Sequence, residues 1–243
     1  MNQDKVVHLQ SDFPLLKYQL YIRLNNKMDI KKSKDLPGKT IERLSQYRRI
    51  LFNSIHEGKT NVYSHELARM MNLTPVQVRR DLMLIGYSGS QSKGYVIKDL
   101  ISLIGKIIDS KQPQKVAIVG MGNLGRAITS YFSGKRERLS IVVAFDNDTQ
   151  KTNRIIAGVP CHHINQLKDQ LPAENIKLAI LTVAPEATHE VAKMLMDAGI
   201  KGILNYTSVP LSVPEGVFLE EYDIVTSLEK LAFFVKQDLQ DQV

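Results

Sequence analysis

The sequence contains a single cysteine and no long apolar run, and these absences exclude several classes of protein. Cys161 alone cannot form a disulfide within the chain or build a cysteine-based zinc site. No segment approaches the ~20 consecutive apolar residues that a membrane-spanning helix needs. The first 12 residues also lack the apolar core of a secretory signal. We therefore expect neither a disulfide scaffold nor a zinc finger nor a membrane protein, and we predict a cytoplasmic location.

The chain does contain enough apolar sequence for a substantial core, together with an uneven distribution of charge. Its 243 residues are 43% hydrophobic and 23% charged, which is typical of a globular protein with two ordinary domains or one large one. The first 112 residues hold 19 Lys and Arg against 10 Asp and Glu, whereas the rest hold 13 against 15. This asymmetry indicates a polyanionic partner on one side, although a solvated basic face would have the same composition.

The sequence patterns on either side of residues 110–114 differ, and we predict a domain boundary there. Helical periodicities precede this polar segment, which contains a proline. Short apolar runs alternate with helical patterns after it, and this alternation is typical of a parallel sheet with crossover helices. The predicted fold class is therefore α/β, with a smaller helical domain in front.

The basic half has the pattern of a helix-turn-helix. Apolar residues fall on one stripe of a helix over 40–57, and a second short helix should start at Ser64 as its N-cap. Thr74 has the residue type of the next N-cap and Gln77 that of its capping-box partner, so a third helix should begin at Pro75. Two helices separated by a few residues form the helix-turn-helix arrangement.

The third helix divides clearly by face. Val78 and Leu82 repeat at helical spacing and should face the core, whereas Arg79 and Arg80 fall on the opposite side. Adjacent arginines on such a face can enter the major groove and bind guanine or phosphate, or they can simply be solvated. Residues 87–97 then have the turn residues and the apolar end of a β-hairpin wing. Taken together with the charge asymmetry, these features favour DNA binding.

A glycine-rich motif in the second half predicts a dinucleotide site. The motif follows an apolar strand pattern, opens a helix pattern, and consists of Gly120, Met121, Gly122, Asn123, Leu124 and Gly125. Its glycines allow a tight turn, close approach of the backbone to a pyrophosphate, and close helix–strand packing. Asp146 ends the next strand 21 residues after the motif, where a carboxylate can bind the ribose hydroxyls. Because no Arg or Lys follows until Lys151, the cofactor should be NAD(H) rather than NADP(H).

A catalytic group for a dehydrogenase is harder to find. Such an enzyme needs an acid or base that faces the nicotinamide. The candidates stand in no context that singles one out, and they are Tyr131, Cys161, His162, His163 and His189. We therefore predict a domain that senses its cofactor, with no catalysis and no metal. Two alternatives stay open: an NAD-dependent oxidoreductase with a basic accessory domain, and a regulator of the same fold that responds to another nucleotide.

In this order the motifs resemble the Rex family of redox-sensing transcriptional repressors. The resemblance covers about residues 38–240 and is carried by QVRRDL (77–82), GNLG (122–125), AFD (144–146), ILTVAPEA (180–187) and GIKGILNY (199–206). It implies a homodimer that binds double-stranded operator DNA and releases it when NADH binds. The implied architecture is a winged helix-turn-helix domain, a Rossmann-like parallel-sheet domain and a C-terminal helix exchanged between subunits.

This reading divides the chain into four parts. They are an N-terminal leader, the winged-helix domain, the Rossmann-like NAD(H)-binding domain and a C-terminal dimerisation helix, with the ranges 1–37, 38–112, 113–220 and 221–243. Within the last part, Thr226 and Glu229 have the residue types of a capping box. A short helix should follow whose apolar face includes Leu228, Leu231 and Val235. Such a face must be buried, either on its own domain or, as the resemblance implies, on the partner subunit.

The resemblance also assigns DNA contacts. By matching strings, Arg43, Arg79 and Arg80 fall where the family contacts DNA. We add Gln77, Lys93 and Gly94 as candidates because of their places in the third helix and the wing. The wing itself, over 90–95, carries less positive charge than the family usually has there.

A second set of residues is implied to form the switch between the two states. Tyr131 matches a family tyrosine that pairs with a C-terminal aspartate in one state. That aspartate matches Asp223, and its partner arginine in the other state matches Arg49. Ile224 stands where some members have an aromatic residue that enters the partner's nicotinamide pocket.

Overall fold

The structure is a computed structural model, and it describes residues 36–90, 92–132 and 138–240. All but the last two residues of the predicted leader lie outside the described residues. Contacts divide the chain into two compact units, with the division between Asp109 and Ser110. This division lies close to the segment where the sequence pattern changes, while the four predicted ranges stay predictions.

The first unit packs its helices around one apolar core. Its elements are α1 (Gly38–His56), β1 (Asn61–Val62), α2 (Ser64–Met70), α3 (Pro75–Leu84), β2 (Tyr95–Val96) and α4 (Ile97–Ile108). The fully buried side chains at its centre are Leu44, Tyr47, Leu51, Leu67, Val78, Leu82, Leu100 and Ile104. The predicted inward face of α3 is therefore confirmed, and α2 and α3 form the predicted helix-turn-helix.

The start of α3 follows the sequence closely. The N–H of Gln77 donates to Thr74 Oγ1 at 3.1 Å, and Pro75 occupies the first helical position, which needs no N–H partner. The predicted capping-box role of Gln77 is wrong, because its side-chain amide donates to Asp81 instead.

The start of α2 differs from the expectation by one residue. Ser64 is the first helical residue rather than the N-cap, which is Tyr63. The Tyr63 N–H donates to the Glu66 carboxylate at 2.7 Å, and the Ser64 hydroxyl accepts from Arg79 at 3.2 Å. The charged Glu66 carboxylate thus accepts from the backbone N–H that precedes the helix, while the Ser64 hydroxyl accepts from Arg79 and does not cap the helix.

The wing forms as predicted. Ser90 and Gly94 make an antiparallel bridge through two backbone hydrogen bonds of 2.8 and 3.0 Å, and β2 then pairs antiparallel with β1. Gly94 has a φ of 66°, and a Cβ there would lie 2.5 Å from the carbonyl oxygen of Val62. The fold itself therefore requires glycine at this position.

The second unit is built on a sheet in which the strands follow the order β5-β6-β4-β3-β7-β8-β9. These strands are β3 (Gln114–Val119), β4 (Leu139–Asp146), β5 (Arg154–Ile156), β6 (Val159–His163), β7 (Leu178–Leu181), β8 (Gly202–Asn205) and β9 (Phe218–Glu221). The helices are α5 (Asn123–Phe132), α6 (Leu167–Ala173), α7 (Thr188–Asp197) and α8 (Ile224–Gln240). All of these strands pair in parallel except β5 with β6, so the expected Rossmann-like sheet is confirmed.

The sheet departs from the sequence pattern at two places. The apolar piece expected near 155–161 is in fact two strands, β5 and β6, joined by a turn at Ala157 and Gly158 with positive φ at both residues. The other departure is β9, which the sequence analysis missed. Its signal is weak because it is a four-residue edge strand whose one aromatic residue, Phe218, is 78% exposed.

The C-terminal helix α8 is longer than expected and begins earlier. It has 17 residues, and its N-terminal cap is Asp223 rather than Thr226. The Asp223 carboxylate accepts from the Val225 N–H at 2.9 Å and from the Thr226 hydroxyl at 2.6 Å. Because the carboxylate is the stronger acceptor, Thr226 becomes a donor inside the first turn.

The apolar residues of α8 are mostly exposed to solvent in the single chain. Their exposed fractions lie between 55% and 61%, and they are Ile224, Val225, Leu228, Leu231, Phe233, Phe234 and Val235. A helix that covered its own unit with this face would bury it, so the alternative in which α8 packs on its own domain is not what the single chain adopts. Exchange between subunits stays a prediction. None of the helices in the described part of the chain, α8 included, is long and apolar enough to cross a membrane.

Candidate functional site

The glycine loop between β3 and α5 is closely packed against the end of β7. Gly120 has a φ of 98°, and a Cβ on it would lie 2.5 Å from the Thr182 carbonyl oxygen. The Thr182 hydroxyl donates to the carbonyl oxygens of Val119 and Gly120, at 3.0 and 2.8 Å. A Cβ on Gly125 would overlap the Gly120 carbonyl oxygen. Two glycines of the motif are thus required by packing inside the protein itself.

Gly122 differs from both of them. Apart from its neighbours in the chain, no heavy atom lies within 4 Å of the position that its Cβ would occupy, and its φ lies outside the left-handed region. The protein's own packing therefore does not require glycine at this position. This is the glycine that the sequence analysis assigned to the approach of a pyrophosphate, at the start of a helix whose N–H groups point toward the loop.

The remaining motif residues have different surroundings. Met121 has a fully buried side chain in the core with Ile118, so only its backbone could contact a ligand. Leu124 is 40% exposed, and the Asn123 side-chain oxygen accepts from Arg126 at 2.9 Å. The assignment of these residues to cofactor binding stays a prediction.

Asp146 is buried at the end of β4, and its carboxylate accepts hydrogen bonds from the glycine loop and from the loop that follows β4. One carboxylate oxygen accepts from the Met121 N–H at 2.7 Å, and the other accepts from the Asp148 N–H at 2.9 Å. The structure thus brings the predicted ribose carboxylate to the glycine loop, as the order of motifs requires.

Lys151 lies beside the Asp146 carboxylate in the folded chain. Its ammonium lies 3.2 and 3.4 Å from the two Asp146 oxygens and 3.4 Å from an oxygen of Asp148. The chain turns back after Asp148, whose carbonyl oxygen accepts from the Lys151 N–H at 2.9 Å. The turn therefore puts one cation beside two carboxylates, a contact that the spacing in sequence does not show, and the local charge remains net negative.

The histidines and the cysteine that we considered for metal binding do not form a metal site in the described part of the chain. His163 accepts from the Asn165 N–H through Nδ1 at 3.3 Å, and burial raises the pKa of the Cys161 thiol. Over 36–90, 92–132 and 138–240, no group of His, Cys, Asp and Glu side chains could hold a metal ion.

The outward face of α3 is the strongest candidate surface for nucleic acid. Arg79 and Arg80 are exposed, as predicted, and they are accompanied by Val76 and Met83 with exposed fractions of 65% and 70%. Lys93 is exposed on the wing. In helix-turn-helix proteins the N-terminal part of the second helix contacts base edges in the major groove. The exposed arginines on this face of α3 can make such contacts.

Asp81, which sequence reasoning missed, organises the inner side of α3. Its fully buried carboxylate accepts from Arg43 Nε at 2.6 Å and Nη2 at 2.8 Å, from the Tyr47 hydroxyl at 2.9 Å, and from Gln77 Nε2 at 2.9 Å. Burial raises the pKa of this carboxyl, but the hydrogen bonds from Arg43, Tyr47 and Gln77 outweigh burial and hold the pKa below its usual value. Two predicted DNA contacts, Arg43 and Gln77, are partly buried and are both hydrogen-bonded to this one carboxylate.

The Asp81 network should make the stability of the first unit depend on acid. A folded-state pKa below the unfolded value of about 3.9 contributes stability that is present above that pH and is lost as the pH falls through the folded pKa. We expect Asp81→Asn to cost about 3 kcal/mol at neutral pH and to flatten the loss of stability below about pH 4. Urea denaturation between pH 3 and pH 7 measures this, with the exposed Asp99→Asn as control. Parallel pH profiles for the parent and Asp81→Asn would contradict it.

The predicted switch residues are spread over both units. Arg49 is exposed on α1, beside the buried Arg48, which pairs with Asp109 at 2.7 Å. Tyr131 is 65% exposed on α5. Asp223 caps α8, and the hydrogen bond from Thr226 lowers the pKa of its carboxyl, while Ile224 is 57% exposed. The pairing of these residues across subunits stays a prediction.

A winged helix-turn-helix joined to a Rossmann-like sheet defines a class of two-domain DNA-binding regulators that respond to a nucleotide. Two family models match the chain accordingly. One is described as a putative DNA-binding protein N-terminus and matches residues 35–82, and the other is described as a CoA binding domain and matches residues 111–209.

A curated relative from Lactobacillus acidophilus, the redox-sensing transcriptional repressor Rex, is 36% identical over 206 residues, which cover 85% of this chain and 98% of the relative. The chain belongs to the Rex family of redox-sensing transcriptional repressors. Among solved structures, RSP in complex with β-NAD+ and operator DNA matches with 28% identity and a TM-score of 0.78, covering 85% of this chain and 95% of RSP. RSP in complex with β-NADH matches with 26% identity and a TM-score of 0.75, covering 86% and 98%. These proteins are named as repressors, so the oxidoreductase alternative finds no support in them.

Proposed function

We propose that this protein is a transcriptional repressor that binds operator DNA through the first unit and releases it when NADH binds to the second unit. The observation that carries the proposal is the presence of both sites in one chain. A capped helix exposes Arg79 and Arg80, and a glycine loop leaves open space at Gly122 beside the buried Asp146. The RSP complexes with operator DNA and with β-NADH support the same assignment.

The proposal includes a cytoplasmic homodimer. Helix-turn-helix dimers bind two half-sites of an operator that mirrors their two-fold symmetry. The exposed apolar face of α8 supplies a surface that a second copy would bury. The candidate contacts are Arg43, Gln77, Arg79, Arg80, Lys93 and Gly94 for DNA, and residues 120–125 with Asp146 for NAD(H).

The proposal is tested by DNA selection followed by ligand titration. The purified protein selects duplexes from a random library in the presence of NAD+, and a selected duplex is then titrated with NADH, NADPH, NAD+ and coenzyme A in separate assays. We expect NADH to release the DNA at the lowest concentration. Release by coenzyme A alone would favour a regulator that responds to another nucleotide. Consumption of NADH with an aldehyde or ketone would favour an oxidoreductase.

The double variant Arg79→Ala, Arg80→Ala should bind the selected duplex at least tenfold more weakly, because a lost bidentate base contact costs about 1–3 kcal/mol. If one arginine binds phosphate instead, the slope of the logarithm of the binding constant against the logarithm of salt concentration should decrease in magnitude by about one. The measurement is fluorescence anisotropy at several salt concentrations. Arg154→Ala with Lys168→Ala removes the same charge from exposed positions of the second unit and serves as control. Equal losses in both double variants would contradict a specific role of α3.

A further inference from the structure

The Gln77 side chain in α3 has its orientation set by a hydrogen bond to a buried carboxylate. It lies in the first turn, between the outward face of Val76 and Arg80 and the inward face of Asp81. Its Nε2 donates to Asp81 Oδ1 at 2.9 Å, and the Gln77 side chain is only partly buried. One amide N–H therefore donates to the buried carboxylate, while the residue as a whole keeps part of its surface exposed.

Hydrogen-bond chemistry determines which atom of the Gln77 amide faces Asp81. An ionised carboxylate only accepts hydrogen bonds, so the amide nitrogen must face Asp81 and the amide oxygen must point away from it. Asp81 itself cannot rotate freely, because Arg43 binds both of its oxygens and the Tyr47 hydroxyl binds one of them. Gln77 thus has its Oε1 oriented before any ligand arrives.

We propose that Gln77 Oε1 reads the amino group of one base in the major groove, and that Asp81 is the positioning residue that sets this preference. The proposal rests on the proposed DNA-binding function. In the major groove, adenine N6 and cytosine N4 are amino donors, whereas guanine O6 and thymine O4 are acceptors. A fixed acceptor therefore selects adenine or cytosine over guanine or thymine at one position of one strand. A freely rotating glutamine could turn its amide, so that its oxygen accepts from an amino group or its N–H donates to a carbonyl oxygen, and it would therefore not distinguish the two kinds of base.

The first test compares base preferences by selection from a random duplex library. The parent should show one position per half-site that is restricted to adenine or cytosine on one strand. Gln77→Met, which keeps the side-chain length without the amide, should lose this restriction alone and weaken binding of the parent's duplex about tenfold. Gln170→Met is a matched control in the second unit, where Gln170 donates to Gln166 at 2.9 Å.

The second test addresses Asp81 and adds a measurement on the parent protein that does not depend on the stability of a variant. In Asp81→Asn the residue at 81 can both donate and accept, so Gln77 can turn and the same position should tolerate guanine or thymine. In parallel, the parent is given a duplex in which the selected base lacks only its amino group, with purine in place of adenine or pyrimidin-2-one in place of cytosine. This duplex should bind about tenfold more weakly to the parent and no more weakly to Gln77→Met.

The outcomes separate this inference from the proposed function. If no duplex is enriched at all, the proposed function fails. If duplexes are enriched and released by NADH but Gln77→Met keeps the parent's base preferences, only the present inference is overturned. The same holds if removal of the amino group leaves the parent's affinity unchanged.

Discussion

Gly122→Val is expected to abolish dinucleotide binding and leave the fold intact. The space around a Cβ at this position is empty to 4 Å, and the backbone is outside the left-handed region, so valine fits the protein without strain. The same side chain would project where the backbone of a dinucleotide motif must approach the pyrophosphate. We expect NADH affinity to fall by at least about 100-fold, because the phosphates could no longer reach the N–H groups at the start of α5. Isothermal titration with NADH measures the loss.

The other glycines supply the controls. Gly38→Val also places its side chain in open space but in the first unit, so NADH affinity should be unchanged. Gly125→Val should behave in the opposite way, because its Cβ would overlap the Gly120 carbonyl oxygen and the whole second unit should be destabilised. Thermal unfolding by circular dichroism separates the two effects. Full NADH affinity in a folded Gly122→Val variant would show that the nucleotide binds elsewhere.

The same variant tests how the two units work together. If NADH binding releases the operator, a protein that cannot bind NADH should remain on its operator at every NADH concentration. Operator affinity without ligand should equal that of the parent, because Gly122 lies outside the first unit. A Gly122→Val protein that is still released by NADH would contradict both the site and the coupling.

Features that depend on neighbouring residues in the sequence could be predicted. The start of α3 is set by Thr74 and Pro75, and the glycine loop by the strand before it and the helix after it; each signal spans only a few residues. Asp146 was found because a parallel sheet places the ends of β3 and β4 side by side. Such local signals were sufficient to predict both units and their order.

Features that depend on tertiary contacts could not be predicted. Asp81 lies within the QVRRDL string, but nothing next to it in sequence identifies its partner Arg43, which is 38 residues away. Lys151 reaches Asp146 only because the chain turns back after β4, and a spacing of five residues does not reveal that turn. The cap of α8 was misplaced for a related reason: Thr226 has the right residue type, but the carboxylate of Asp223 competes for the same role.

The last expectation concerns the assembly of the protein. The triple variant Leu228→Asp, Leu231→Asp, Val235→Asp should convert the proposed homodimer into monomers. These side chains lie on one face of α8, and each is 58–60% exposed in the single chain. Burial of such a side chain contributes about 1.5 kcal/mol, and a homodimer loses six of them, three from each subunit, which corresponds to roughly a million-fold change in the dimer dissociation constant. Sedimentation velocity at micromolar protein concentration measures this directly.

A matched control lies on the opposite face of the same helix. Lys230→Asp with Gln237→Asp changes the net charge by the same three units and also introduces aspartate into α8, but at exposed polar positions. This variant should remain a dimer. The comparison separates loss of an apolar interface from loss of helix propensity and from charge repulsion between subunits.

The monomeric variant should also bind operator weakly, because one winged helix can occupy only one half-site and the second contact is no longer made at high effective concentration. NADH affinity should change less than operator affinity, since the glycine loop and Asp146 belong to a single chain. If α8 instead covered its own unit, the triple variant would lower the thermal stability of the second unit and leave the sedimentation coefficient unchanged. A triple variant that remains a stable dimer with full operator affinity would contradict this prediction. The two subunits would then associate through another surface, and the apolar face of α8 would not be needed to place two winged helices on one operator.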